Sequence, residues 1–145
     1  MVDVATDIVI HRPRPVVAGY ASDPENAPTW YTNIKTVRWE STPPLVVGSR
    51  LAFEARFLGR NLDYVYEFTE LDPGTKLIMR TAQGPFPMQT TYTWDDADGA
   101  STRMTLRNTG TPAGFSAVVN LLMAPMMRRA MRKDLARLKG ILEAS

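Results

Sequence analysis

The chain has 145 residues, 44% hydrophobic and 22% charged, and its 17 Lys and Arg against 15 Asp and Glu leave a formal charge of only +2. This length supports one core that buries roughly two-thirds of the unfolded surface, which predicts a single domain over residues 1–145. The near balance of charge gives nucleic-acid binding no support; with no Cys and one His, His11, disulfides, thiolate chemistry and an imidazole-rich metal site are excluded.

The opening MVDVATDIVIHR has neither a basic n-region nor an apolar run ending in small residues, so a secretory signal is not expected and the location predicted is cytoplasmic. Residues 3–11 alternate Val4, Thr6, Ile8 and Ile10 against Ala5, Asp7, Val9 and His11, the pattern of a strand near one edge of a sheet. Pro13 and Pro15 end it. Residues 14–21 are weakly helical, and Asp23-Pro24 has the form of an N-cap followed by proline at the first helical position, so two short helices are expected before Trp30.

Strands follow over 34–41 and, after the Pro43-Pro44 break, 49–58, where Leu51, Phe53, Ala55 and Phe57 share a face. Gly59-Arg60-Asn61 turns the chain into a strand over 61–71 with Leu62, Tyr64, Tyr66 and Phe68 together on one side. Asp72-Pro73-Gly74-Thr75 has the residue order of a type II turn, leading to a strand over 76–82. Gly84-Pro85-Phe86-Pro87 interrupts, and 88–94 resumes with Met88, Thr90, Tyr92 and Trp94 on one face. Asp98-Gly99 predicts a hairpin to a last strand over 101–108. The short connections favour an antiparallel sheet, and the class is α+β.

From Thr111 onward one long helix is expected, reaching about 50 Å if straight. Met127, Met131, Leu135, Leu138 and Leu142 step by three or four and form one stripe toward the sheet, with Arg128, Arg132, Lys133 and Lys139 opposite. Pro125 removes a backbone donor and predicts a kink. The most apolar stretch, 113–127, contains Ser116, Asn120 and Pro125 and falls short of the roughly twenty residues a spanning helix needs, so integral membrane association is not expected.

This order of elements, the segment DPENAPTWY, the hairpin ELDPGTKLIMRT, the strand DGASTRMTLRNTG and the terminal LARLKGILE resemble the polyketide cyclase/dehydrase branch of the START-related (SRPBCC) superfamily along essentially the whole chain. The resemblance implies a helix-grip fold: a curved seven-stranded antiparallel sheet wrapped around the C-terminal helix, with two short helices between the first two strands. It also implies a hollow between sheet and helix. None of the matching segments is a catalytic motif, so function is argued separately from fold.

If the periodic faces point inward, the sheet lines the hollow with Trp39, Phe53, Phe57, Tyr64, Tyr66, Met79, Met88, Tyr92 and Met104, and the helices add Trp30, Phe115, Leu122, Met126 and Met127. Thioethers repack cheaply, which suits a site that accepts more than one shape. Thr90, Asn108 and the tyrosine hydroxyls are polar groups on the same face that need a partner or a ligand. Arg80 and His11 fall out of phase and are expected at the surface. Asp95, Asp96 and Asp98 fit a hairpin end better than a calcium loop, and no metal is assigned.

The first functional expectation is a cofactor-free binder or carrier of a hydrophobic or aromatic small molecule of polyketide, sterol-like or fatty character, acting as monomer or homodimer. An aromatase/cyclase-type enzyme is the second; it requires a convergent acid and base, which the inward face does not display. A protein-interaction module akin to the chaperone-regulator relatives is the third. The basic run from Arg128 to Lys139 adds the expectation of peripheral contact with anionic lipid.

Overall fold

Alternating apolar residues form β1 (Val2–Ile10), whose Val4 and Ile10 are fully buried. This is a computed structural model, and it describes residues 2–57, 59–84, 87–111 and 117–145, without the side chains of 57 and 117–120. Pro13 turns the chain into α1 (Arg14–Ser22). The Asp23 carboxylate then accepts from the Glu25 amide at 3.0 Å and opens a single 3₁₀ turn, Pro24–Asn26, which continues into α2 (Ala27–Trp30). Trp30 therefore ends the second short helix instead of following it.

Six strands come next: β2 (Ile34–Trp39), β3 (Arg50–Phe57), β4 (Arg60–Asp72), β5 (Lys76–Gln83), β6 (Met88–Ala97) and β7 (Ser101–Gly110). With β1 they make a seven-stranded antiparallel sheet in the order β1-β7-β6-β5-β4-β3-β2. The first strand is thus an edge strand, paired with the last. The β4–β5 turn closes with Thr75 N–H donating to Asp72 O at 2.9 Å and Gly74 at φ 80°, the conformation its sequence predicts. β6 extends past its expected end at Trp94, because Asp95 to Ala97 stay in register with Arg103 to Ser101.

Register shifts break the β4–β5 ladder at Val65/Tyr66 and Phe68/Glu70, and β2–β3 at Ile34/Thr36. Such bulges raise the local twist and bend a strand, so the sheet curls around what it covers. It covers α3 (Ala117–Glu143), a helix of 27 residues with Pro125 inside it, about 40 Å long. The expected start at Thr111 falls partly on residues 112–116, outside the described residues.

Met131, Leu135, Leu138 and Leu142 are buried against the sheet, each contributing about 1.5–3 kcal/mol of burial. Met127 is half-buried and Arg132 and Lys133 are exposed. The C-terminal end of the helix is tied to the end of β1. Arg12 donates to Leu142 O at 2.6 Å and Ser145 Oγ at 2.7 Å, and Lys139 Nζ donates to Val9 O at 2.7 Å. A cation at the last carbonyls also complements the helix dipole. This anchorage holds α3 across the open side of the sheet and leaves a hollow toward its other half.

Candidate ligand cavity

The concave face of the sheet and the inner side of α3 form a partly open cavity of about 160 Å³. From β3 to β6 the strands supply Phe53, Ala55, Leu62, Tyr64, Tyr66, Phe68, Leu77, Met79, Met88, Thr90 and Tyr92. β7 contributes Asn108 and α3 contributes Met123, Met127, Ala130, Met131 and Asp134. Tyr31, Asn33 and Ile34 close the side between α2 and β2. The strand residues reach it because inward positions alternate, and the helix residues because positions three and four apart share a face.

Aromatic rings set the shape of the walls. Phe53 meets Tyr66 edge-on at 5.5 Å between ring centroids, and Tyr66 lies 5.8 Å from Tyr64. On the other side Trp30 packs 4.1 Å from Tyr31 and 5.8 Å from Tyr92, which lies 5.9 Å from Trp94. These pairs prefer tilted and edge-to-face geometry, which makes the walls firm, whereas the methionines lining the rest can repack.

Two polar stations interrupt the apolar lining. At the first, Thr90 Oγ1 donates to Asn108 Oδ1 at 2.6 Å across the β6–β7 register pair, with the Tyr66 phenol close enough to Thr90 to feel its hydroxyl. At the second, the hydroxyls of Tyr31 and Tyr92 share a hydrogen bond of 2.5 Å, and Asp134 lies close enough to both to act on them electrostatically. Asp134 is 3% exposed, and its Oδ1 accepts from both Thr32 N–H and Thr32 Oγ1 at 3.0 Å. No described residue donates to Oδ2.

Burial pushes the Asp134 carboxyl above its ordinary range; the two Thr32 donors, then Arg137 and Lys133, pull it part of the way back. Loss of hydration raises the tyrosines as well, Tyr64 to about 12 and Tyr66 and Tyr92 higher, and Tyr31 is pushed well above the ordinary phenol value by burial and then by Tyr92 and Asp134. All four phenols are neutral donors at physiological pH. Asp134 is the only Asp, Glu, Lys, Arg or His among the described lining residues.

Of the residues expected in the hollow, Phe53, Tyr64, Tyr66, Met79, Met88, Thr90, Tyr92 and Asn108 line the cavity. Trp30 and Met104 do not: both are completely buried in the core, Trp30 as the floor beneath Tyr31 and Tyr92. Trp39 lies elsewhere, in a second recess of about 540 Å³ with Pro43, Pro44, Leu45, Leu71 and Trp94 near the β4–β5 turn. Leu122 and Met126 point outward, 49% and 37% exposed, because at about 100° per residue the inward positions are Met123, Met127, Ala130, Met131 and Asp134. The Phe57 side chain and Phe115 fall outside the described residues.

Asp134 corrects a second expectation: the inward face does carry an acid. Its sequence signal is positional, since it lies three residues after Met131 and four before Leu138, on the buried stripe itself, although its neighbours Lys133 and Arg137 make it look like part of a solvated basic face. Tyr31 gave no periodic signal because it sits in a connection. His11 and Arg80 are exposed as expected, His11 Nδ1 lying 3.1 Å from Ser101 Oγ. Among the described residues no three Asp, Glu or His side chains converge as a metal site would require, and no helix is long and apolar enough to cross a membrane.

A family model described as polyketide cyclase / dehydrase and lipid transport matches residues 1–143. A comparison with curated proteins finds no match. Among solved structures, a protein from Thermus thermophilus superposes with TM-score 0.83 at 19% identity, covering 98% of this chain and 97% of its own. The Zhui aromatase/cyclase from Streptomyces sp. R1128 does so with TM-score 0.81 at 15% identity, covering 97% and 93%. A START superfamily protein from Mycobacterium smegmatis gives 0.74 at 16% identity, covering 98% and 97%. At these identities the likeness is one of fold, the helix grip expected above.

Proposed function

Since the chain belongs to the polyketide cyclase / dehydrase and lipid transport family, we propose that it binds a small hydrophobic, aromatic molecule in the cavity between the sheet and α3. The observation that carries this reading is the lining itself: aromatic and thioether walls around about 160 Å³ of space, with two hydrogen-bonded polar stations in a mainly apolar surface. Sites for drug-sized ligands are usually about 300–1,000 Å³, whereas an apolar hole of about 150 Å³ takes up benzene. The cavity as it stands therefore suits a single ring. A sterol-sized guest requires Met79, Met88, Met123, Met127 and Met131 to move aside, which unbranched side chains do at modest cost.

Mass spectrometry of the natively purified protein tests the reading, together with calorimetric titration of one-ring and fused-ring aromatics. A co-purifying aromatic molecule, or saturable one-to-one binding that Met131→Trp abolishes, supports it; a cavity that takes up neither overturns it.

One observation favours a second reading, an aromatase/cyclase-type activity. Aldol closure of a poly-ketone needs a group to remove a proton beside one carbonyl and a donor to polarise another, and Asp134 with the Tyr31–Tyr92 pair offers both types of group in a water-poor space. Incubation with a short poly-β-ketone thioester decides it: a cyclised product formed by the native protein and lost in Asp134→Asn supports catalysis, and identical product profiles with and without protein rule it out.

A further inference from the structure

The cavity wall has an electrostatic asymmetry that its hydrophobic character hides. Among the described lining residues there is one carboxyl group, Asp134, and no Lys, Arg or His. Lys133 and Arg137, its basic neighbours on α3, are exposed. The groups that face Asp134 from the packed elements are Thr32, which occupies Oδ1 twice at 3.0 Å, and the phenols of Tyr31 and Tyr92, with Tyr66 next to those two phenols. Oδ2 accepts no bond from a described residue and is not among the sealed polar atoms, so an accessible acceptor is left for whatever fills the space.

The geometry points to a ligand that ends in a protonated amine: a one-ring aromatic whose ammonium donates to Asp134 Oδ2 while its ring fills the space among Phe53, Tyr66 and the methionines. This rests on the cavity reading above and deepens it by naming the polar end. Three features agree. A carboxylate desolvated beside apolar walls is stabilised most by a cation that hydrogen-bonds to it. The faces of Tyr31, Tyr66 and Tyr92 carry the negative quadrupole that attracts ammonium groups. A ligand ending in its own carboxylate would meet Asp134 inside the cavity, where Lys133 and Arg137 act on the aspartate only from the exposed side of α3. Fatty acids and aromatic acids are thereby disfavoured against amines, although the family's description includes lipid transport.

Benzylamine, benzyl alcohol and benzoate share a ring and nearly a size and differ in the charge of the pole, so calorimetric titration of the native protein with all three at neutral pH tests the inference. Benzylamine is expected to bind about tenfold to a hundredfold more tightly than benzyl alcohol, the difference a charge-assisted hydrogen bond makes, and benzoate weakest of all. Asp134→Asn, which keeps the shape and an acceptor for Thr32, should bring benzylamine down to the alcohol and leave the alcohol within about threefold. Native protein gives a second measurement if that variant fails to fold. Amine affinity should fall as acid protonates Asp134, while alcohol affinity stays level.

Equal binding of the three ligands, tighter benzoate, or an amine preference that survives Asp134→Asn or does not weaken in acid overturns this inference alone. Binding of none overturns it together with the cavity reading.

Discussion

Thr32→Val removes one hydroxyl from the Asp134 station and preserves its branched shape. The lost bond is Oγ1 to Oδ1 at 3.0 Å; the backbone N–H of residue 32 keeps its own 3.0 Å bond to the same oxygen. A hydrogen bond to a charged acceptor contributes about 1.5–3 kcal/mol and one to a neutral acceptor about 0.5–1.5. Thr32 is exposed as a residue, which places both figures at their lower ends. The cost should be about 1.5 kcal/mol where Asp134 is ionised and about 0.5 kcal/mol where it is protonated.

Asp134 sits above the ordinary aspartate value of 3.8. The folded protein therefore keeps this proton over a pH interval in which the unfolded chain has lost it. Its contribution to stability is greatest below 3.8 and declines as pH rises through the raised value. Removing a donor that favours the ionised form raises the group further, so the deficit of the variant must widen with pH. Urea unfolding of both proteins at about pH 3.5 and pH 7, with m near 1.5 kcal/mol/M, should show midpoint shifts of roughly 0.3 M and 1 M. The difference between the two proteins cancels the opposite titrations of Asp3 and Glu143, whose pKa values their hydrogen-bond partners lower. An equal shift at both pH values would refute the claim that Thr32 holds an ionisable buried carboxyl.

Leu138→Ala empties a fully buried position between α3 and the sheet and should cost about 2–5 kcal/mol, lowering the melting temperature in calorimetry by roughly 10 °C. Gly84→Ala places a methyl group 2.5 Å from Tyr64 Cδ1, so the ring must shift at the cavity wall; titration should show weaker binding of any ring-sized ligand, with a far smaller change at Gly59→Ala, where φ is 74° and nothing lies near. The outer face of α3 presents Leu121, 80% exposed, with Leu122 and Met126, followed by Arg128, Arg129, Arg132, Lys133 and Arg137, none of which forms an ion pair among the described residues, whereas Arg14, Arg50, Arg103, Arg107 and Lys139 each do. Sedimentation with anionic vesicles at low salt should recover the protein, with zwitterionic vesicles it should not, and Arg128→Gln with Arg132→Gln should cut recovery severalfold.

Period and punctuation made the architecture legible from sequence. Two-residue alternation located β1, β3, β4 and β6, the turn residues Pro73-Gly74 and Asp98-Gly99 located β5 and β7, Pro13 and Pro43 marked further breaks, and the four-three spacing from Met131 to Leu142 identified the buried side of α3. The walls contributed by β3 to β6 were readable for the same reason, since a strand has only two faces and Phe53, Tyr64, Met79 and Tyr92 must share one. Strand ends were less legible, as β6 shows, because pairing with β7 continues wherever register allows.

The hydrophobic pattern of the chain by itself determined an antiparallel sheet with a long helix against it and an aromatic, methionine-rich inner face, because burial of apolar periodicity leaves few alternatives; the curvature was implied by the family resemblance and comes from the bulges in β2–β3 and β4–β5. Only the tertiary structure decided which inward residues face space and which face each other: Trp30 and Met104 fill the core, Trp39 lies in another recess, and Leu122 and Met126 face water. It also decided that Asp134, set among basic neighbours in sequence, enters the cavity. Sequence proximity ties a charge to the residues beside it along the chain, but on a helix the neighbours that set its chemistry are those across the packing interface, here Thr32, Tyr31 and Tyr92.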